Sequence, residues 1–292
     1  PPAAGRSPPR RRCGTNEVQM MNTLAGFRRT LKFSRNAAAA LLLLALLATA
    51  GGGPAFAQQT GATKLPTTSW VLDRYVAVTG GRDALLRHKS ITVHGRFQVP
   101  AQKLDVETVS YSVGTKSLQK AVLPGGKVYA SGYDGQVAWD MDPAGKVTLY
   151  HGDVARSIAR DADMYYHLHV LDYFKKLDVV GVQAFDGNQC YVLKGVNNWN
   201  QPNEQFYDKD NGLLIGYLFN TKWRGGPGDT TATFENYQDF GGVLMPAKTT
   251  GRDATGVSIG LVTSVTYDDV DDSLFALPDA VKNAVAQEKG AQ

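Results

Sequence analysis

Residues 125–177 read GGKVYASGYDGQVAWDMDPAGKVTLYHGDVARSIARDADMYYHLHVLDYFKKL, and how this stretch folds decides the architecture. Two strand-like runs, Lys127–Gly132 and Gln136–Asp142, are joined at Tyr133-Asp134-Gly135. Asp-Gly between alternating apolar runs is a strong short-range hairpin signal. A third run, Val147–Tyr150, precedes Gly152-Asp153, and then the period changes. Val154, Ile158, Ala162 and Tyr165 recur at helical spacing, with Arg156 and Arg160 one turn apart on another face. Leu168–Leu177 continues the helical reading through Val170, Phe174 and Leu177. The chain thus makes one helical excursion between strands, and that excursion has to cover something.

On both sides of it the pattern is β. Upstream, Ile91, Val93, Phe97 and Val99 alternate with polar residues, and Leu104–Val113 and Ser117–Leu123 follow. Downstream, Val179–Phe185 and Gln189–Val196 flank Asp186-Gly187-Asn188, and further runs follow as far as Val257–Tyr267. About eleven strands with turns every eight to twelve residues predict an antiparallel barrel or strongly curved sheet. A helix capped by Ser69, with Trp70, Val71, Tyr75 and Val78 on its apolar face, precedes the strands and stops at Gly80-Gly81. The tail 278–292 reads as a short surface helix over Asp279–Glu288.

The first 57 residues are expected to lie outside the folded unit. Residues 1–19 read as an upstream leader, and a start at Met20 or Met21 opens a secretory signal. Arg28, Arg29, Lys32 and Arg35 precede an apolar run from Ala37 to Ala50 and an Ala55-Phe56-Ala57 cleavage site. The run is too short to span a bilayer comfortably, so export to the periplasm is the expectation. Residues 58–67 read as a flexible start, and 68–277 as one domain. Residues 1–57 hold 8 of the 31 basic and 1 of the 27 acidic residues, leaving 23 and 26, a net charge of −3. The basic balance of the full chain therefore belongs to the leader and signal, and no basic patch for nucleic acid remains. Cys190 is then the single cysteine, in a strand-like run, and reads as a small buried hydrophobe.

Catalytic patterns are missing: there is no G-x-S-x-G, H-E-x-x-H, G-x-x-x-x-G-K-[ST] or C-x-x-C. His167, His169 and Asp163 are a weak metal candidate, because i,i+2 residues at a helix junction do not share a face. Asp208-Lys209-Asp210-Asn211-Gly212 lacks calcium-loop spacing and reads as a hairpin turn. Asp268-Asp269-Val270-Asp271-Asp272 reads as a solvated acidic loop. Lys222-Trp223-Arg224-Gly225-Gly226-Pro227-Gly228 combines basic, aromatic and glycine residues, as phosphate sites do, but a long hairpin loop with one exposed tryptophan explains it better. Neither an enzyme nor a metal or other cofactor is implied.

The order of features supplies the rest. Gly80-Gly81-Arg82-Asp83-Ala84-Leu85, Tyr133-Asp134-Gly135-x-x-x-Trp139, Arg160-Asp161-Ala162-Asp163-x-Tyr165, Gln205-Phe206-Tyr207-Asp208 and Phe234-x-x-Tyr237-x-Asp239-Phe240-Gly241-Gly242-Val243-x-Met245-Pro246 succeed one another. In this order they resemble exported bacterial proteins of the outer-membrane lipoprotein carrier (LolA-like) superfamily, over roughly residues 68–277. The resemblance implies a mainly β (α+β) fold: a half-open antiparallel β-barrel of about eleven strands with helices covering the concave face. It also implies a periplasmic carrier of a lipid or acylated protein. The alternative is an envelope structural or assembly protein that binds a protein partner through that face.

An empty apolar cavity of roughly 300 Å³, at about 24 cal/mol per Å³, would cost on the order of 7 kcal/mol. That rivals the stability of a whole domain, so the space is expected to hold ligand, water or the side chains of a movable lid. The candidate ligand-lining residues are Phe97, Trp139, Ile158, Tyr165 and Phe174. Arg156 and Arg160 are candidate contacts for a headgroup or partner.

Overall fold

The computed structural model describes residues 64–290. The expected leader, the signal segment with its cleavage site, and residues 58–63 of the expected flexible start lie outside the described residues.

Thirteen strands form one antiparallel sheet. They are β1 Ser90–Val99, β2 Leu104–Val113, β3 Lys116–Val122, β4 Val128–Tyr133, β5 Ala138–Met141, β6 Val147–Tyr150, β7 Phe174–Phe185, β8 Asn188–Asn197, β9 Pro202–Asp208, β10 Leu214–Asn220, β11 Asp229–Asp239, β12 Leu244–Asp253 and β13 Gly256–Tyr267. The runs read from the sequence, those of β5 and β6 included, each form a strand, and the expected total of about eleven becomes thirteen. Among the described residues four α-helices accompany them: α1 Thr68–Val78, α2 Arg82–Arg87, α3 Gly152–Asp161 and α4 Asp279–Gly290.

Strand order is β6-β5-β4-β3-β2-β1-β13-β12-β11-β10-β9-β8-β7. Every strand pairs with its neighbours in sequence except β6 with β7, and the first and last strands pair in the middle of the sheet. The two outermost strands, β6 and β7, do not meet. A ladder between them would close a barrel; instead residues 151–173 run through the seam. The expected half-open barrel is therefore observed, and its opening lies at the stretch that decided the fold.

Local chemistry explains the turns. Asp186 and Gly187 both have positive φ (47° and 82°), as a two-residue turn of the hairpin-favoured hand requires. The Asp134 carboxylate accepts from the backbone N–H groups of Gln136 and Val137, fixing the β4–β5 turn.

Two sequence expectations fail for physical reasons. Leu168–Leu177 is not a helix but two 3-10 turns, Tyr166–Leu168 and Val170–Tyr173, followed by β7. A bulge between Phe174 and Lys176 puts Phe174 and Leu177 on one face of a strand at a spacing of three, which imitates helical periodicity. In α1 the cap is Thr67, not Ser69, its hydroxyl accepting from the Trp70 N–H. The buried face of that helix is Val71, Leu72 and Tyr75, while Trp70 is 46% exposed.

Register separates the two faces of the sheet. The ladder Trp139–Gly132–Leu118–Tyr111–Thr92 runs across one face. Phe97, paired to Val106, has the opposite parity to Thr92 and lies on the other. The Phe97 side is the inner face, because α1 and the seam segment pack on it. There Val71, Leu72, Tyr75, Tyr166 and Val170 join Leu193, Tyr207 and Phe234 of the sheet in one cluster. Met164 and Tyr165 pack with Ile91 and Val93 in another. The outer face of β3–β5 is covered by the C-terminal segment, with Phe275 and Val281 against Trp139. Apart from Val281, α4 is mostly exposed, as a surface helix should be.

Candidate functional site

The seam segment is the part of the fold with unusual chemistry. On periodicity, α3 should bury Val154 and Ile158; it buries Ser157 and Asp161 instead, leaving Val154 and Ile158 half-buried. The carboxylate can go inside because two arginines meet it. Arg160 Nε donates to Asp161 Oδ1 at 2.6 Å, and Arg224 Nη1 stands 3.6 Å from Oδ2. The Arg160 guanidinium lies over the rings of Trp199 (5.1 Å) and Tyr166 (5.8 Å). Burial works against the Arg160 charge, yet Asp161 and the neighbouring tyrosines hold its pKa above the ordinary value. Arg156, one turn back, stays exposed and pairs with Asp153.

Beyond α3 the segment turns inward. Ala162 is fully buried. The Met164 N–H donates to the Gly114 carbonyl at 2.9 Å, and the Tyr165 hydroxyl to the His88 carbonyl at 2.7 Å. Asp163 accepts from the Tyr173 hydroxyl (2.9 Å) and the Tyr165 N–H (2.9 Å), and pairs with His169 Nδ1 at 2.7 Å. His167 goes the other way, buried 4.9 Å from the Tyr75 ring, and that burial pushes its pKa down to about 3. The two histidines thus diverge, and among the described residues no group of three could hold a metal ion.

Two cavities border the segment. A groove of about 360 Å³ lies between α1 and residues 167–172, lined by Leu72, Val76, Val170 and Leu171 together with Asp73 and Arg82. A smaller cleft of about 50 Å³ is lined by Arg160, Asp161, Trp199, Tyr217, Trp223 and Arg224. Its walls come from α3, the β8–β9 turn and the β10–β11 loop. In that loop Lys222–Arg224 forms a 3-10 turn, with Gly225 at φ 77° letting the chain reverse.

No family model matches the sequence, and no curated protein matches it. Among solved structures the fold is similar to a LolA superfamily protein of Nitrosomonas europaea, with a TM-score of 0.52 at 18% identity, covering 73% of this chain and 99% of that one. It is also similar to a DUF1329 family protein of Desulfovibrio piger, with a TM-score of 0.51 at 16% identity, covering 71% and 96%. The chain has the LolA-like fold.

Within this LolA-like sheet the expected site residues fall in different places. Phe97 sits on the inner face among Val99, Val106 and Tyr129, in a cluster without seam residues. Phe174 and Tyr165 also face inward, beside the seam segment. Trp139 is on the outer face, where Gly132 makes room for it: a Cβ there would stand 2.9 Å from the indole. Ile158 is half-buried on α3. The structure therefore brings Tyr165 and Phe174 to the seam but sets Trp139 apart from them. Arg160 is held in the cleft, and Arg156 is at the surface.

Sequence reading did not single out Trp199 and Tyr217 at all, took Arg224 only as part of the loop at 222–228, and took Asp161 only as part of the motif at 160–165. Their one available signal was two tryptophans, Trp199 and Trp223, each on a polar hairpin loop. Trp223 is half-buried beside Trp199, at 6.3 Å between ring centres, rather than exposed. The acidic run at 268–272 is structural: Asp268 accepts from the Lys89 N–H, Asp269 from Thr92, Asp271 from the Ser273 N–H, and Asp272 pairs with Lys116. Asp208 likewise closes its turn through the N–H groups of Asp210 and Asn211. The Cys190 thiol is buried, and desolvation pushes its pKa up to about 12, which suits a packing role.

Proposed function

We propose that this protein is an exported binding module of the cell envelope that takes the acyl chain of a lipid or acylated protein against its inner face. In the closed state residues 162–173 act as the lid. One observation carries the reading: the side chains that complete the inner apolar cluster at the open seam, Tyr166 and Val170, come from the inserted segment. That segment is fastened by polar pairs at Asp161 and Asp163, which can exchange for water, and it borders a groove of the size ligand sites have. Each methylene transferred from water contributes about 0.8 kcal/mol, so a long acyl chain has enough free energy to displace two lid side chains without any catalytic group. The fold and the export signal expected at residues 20–57 support a periplasmic location.

A second reading rests on β7. This strand is a free edge of the sheet, and Val180 and Val182 on it are 51% and 44% exposed. An exposed edge can accept a strand from an envelope protein partner.

Native mass spectrometry of protein purified from the periplasm distinguishes the two. The carrier reading expects a retained or readily loaded single lipid. Protein that neither carries nor accepts lipid, yet captures a peptide whose binding is lost on introducing proline into β7, would replace it with the second.

A further inference from the structure

The cleft beside Arg160 has a hydrogen-bonding demand that an acyl chain cannot meet. Two buried polar atoms that line it have no hydrogen-bond partner among the described residues: Asp161 Oδ2 and Trp199 Nε1. Asp161 is 2% and Trp199 4% exposed. Leaving such atoms unmade is costly, and native proteins rarely do so without a resident water or ligand. Asp161 Oδ2 is ion-paired to Arg224 Nη1 at 3.6 Å, short of a hydrogen bond, and can still take a donor, whereas the Trp199 indole N–H needs an acceptor. Whatever completes the cleft must therefore both donate and accept.

That requirement selects among chemistries. A carboxylate or a phosphodiester only accepts, and it would face the Asp161 carboxylate. The two arginines do not change this, since Arg160 and Arg224 are already turned on Asp161. A hydroxyl meets both needs at once. The cleft's volume of about 50 Å³ has room for about three or four waters, hence for one or two hydroxyl groups replacing them. The remaining walls mix aromatic rings, Trp199, Trp223 and Tyr217 among them, with the amide side chains of Asn197, Gln201, Asn203 and Asn220, which can hydrogen-bond further hydroxyl groups. Aromatic rings beside a carboxylate and arginines suit a ring that is apolar on its C–H face and hydroxylated at its edge.

We propose that this cleft is a saccharide subsite. A hydroxyl at the edge of the sugar accepts from Trp199 Nε1–H, that hydroxyl or its neighbour donates to Asp161 Oδ2, and the sugar ring packs against Trp223 at the mouth. The site stands apart from the acyl-chain reading: its ligand is polar, and its walls are the β8–β9 and β10–β11 connections together with the end of α3.

The test is a titration of delipidated protein labelled with ¹⁵N at tryptophan, whose four indoles give separate signals. The probes are a panel of neutral and acidic mono- and disaccharides, with sodium acetate and glycerol as controls. The expected result is a saturable shift of the Trp199 and Trp223 indoles with at least one saccharide, leaving Trp70 and Trp139 in place. Trp199→Phe removes the N–H together with the five-membered half of the indole while leaving a smaller aromatic ring, and should weaken binding about tenfold. Trp223→Ala, at the rim, gives a second variant that keeps Arg160, Asp161 and Arg224 but removes the ring over which the Arg224 guanidinium lies, and should also weaken saccharide binding. An alkyl glycoside of the bound sugar, used below its micelle concentration, separates a lipid-linked sugar from a free one by whether the alkyl chain tightens binding. No saturable shift across the panel, acetate binding as tightly as any sugar, or undiminished binding by Trp199→Phe would overturn the assignment.

Discussion

Asp161 Oδ2 and Arg224 Nη1 stand 3.6 Å apart, and this pair joins the segment filling the open seam to the loop between β10 and β11. Both side chains are largely withdrawn from water, at 1% and 9% exposure. Asp161 also holds Arg160, so one carboxylate is shared by two guanidinium groups at the end of α3.

Removing that carboxylate takes away the counterion that two largely buried guanidinium groups share. Asp161→Ala should cost about 3 kcal/mol, read as a lowered urea midpoint. Faster amide exchange should appear in residues 152–173 before the central strands β1 and β13 respond. Loss of protection spread evenly over the sheet would show that Asp161 supports the whole domain rather than the lid.

His167 makes the lid sensitive to acid. Burial holds its pKa near 3 in the closed protein, against about 6.5 when exposed. Between these values the opened or unfolded chain binds a proton that the closed protein does not. Stability therefore falls as pH drops from about 6.5 towards 3, by on the order of 1.4 kcal/mol per pH unit. The rings of Tyr75 and Tyr166 pack on the imidazole. His167→Phe should flatten this part of the profile of melting temperature against pH, and a parallel profile in the variant would contradict the assignment.

Trp139 tests the assignment of faces. It packs on the outer face with Phe275 and Val281, so Trp139→Ala should cost about 3–5 kcal/mol and release α4. Lipid binding by the protein that remains folded should be unchanged. A variant that folds fully but no longer binds would place the ligand on the face opposite to the lid.

Much of this was legible in the sequence. Alternation along Ile91–Val99 and the Asp-Gly turns at 134–135 and 186–187 report local geometry, so strands and hairpins could be read directly. Faces could not be read so easily: Phe97 and Trp139 are both apolar strand residues, and only the register of five successive strands places them on opposite sides. The bulge at Phe174 disguised a strand as a helix, because an extra residue shifts the period from two to three. The cleft was hidden for another reason. Asp161, Trp199 and Arg224 are far apart in sequence, and periodicity assigns a carboxylate to the solvent side unless its buried partners are already known.

The central claim is that residues 162–173 occupy the place of an acyl chain. Hydrogen–deuterium exchange of the delipidated protein, with and without a lysophospholipid shown by native mass spectrometry to bind, tests it most directly. On this account ligand binding raises exchange in residues 162–173 while β1, β13 and the outer-face strands β4 and β5 keep their protection. Lipid bound with exchange in residues 162–173 unchanged or slowed would contradict it, since the lid would then still be in place.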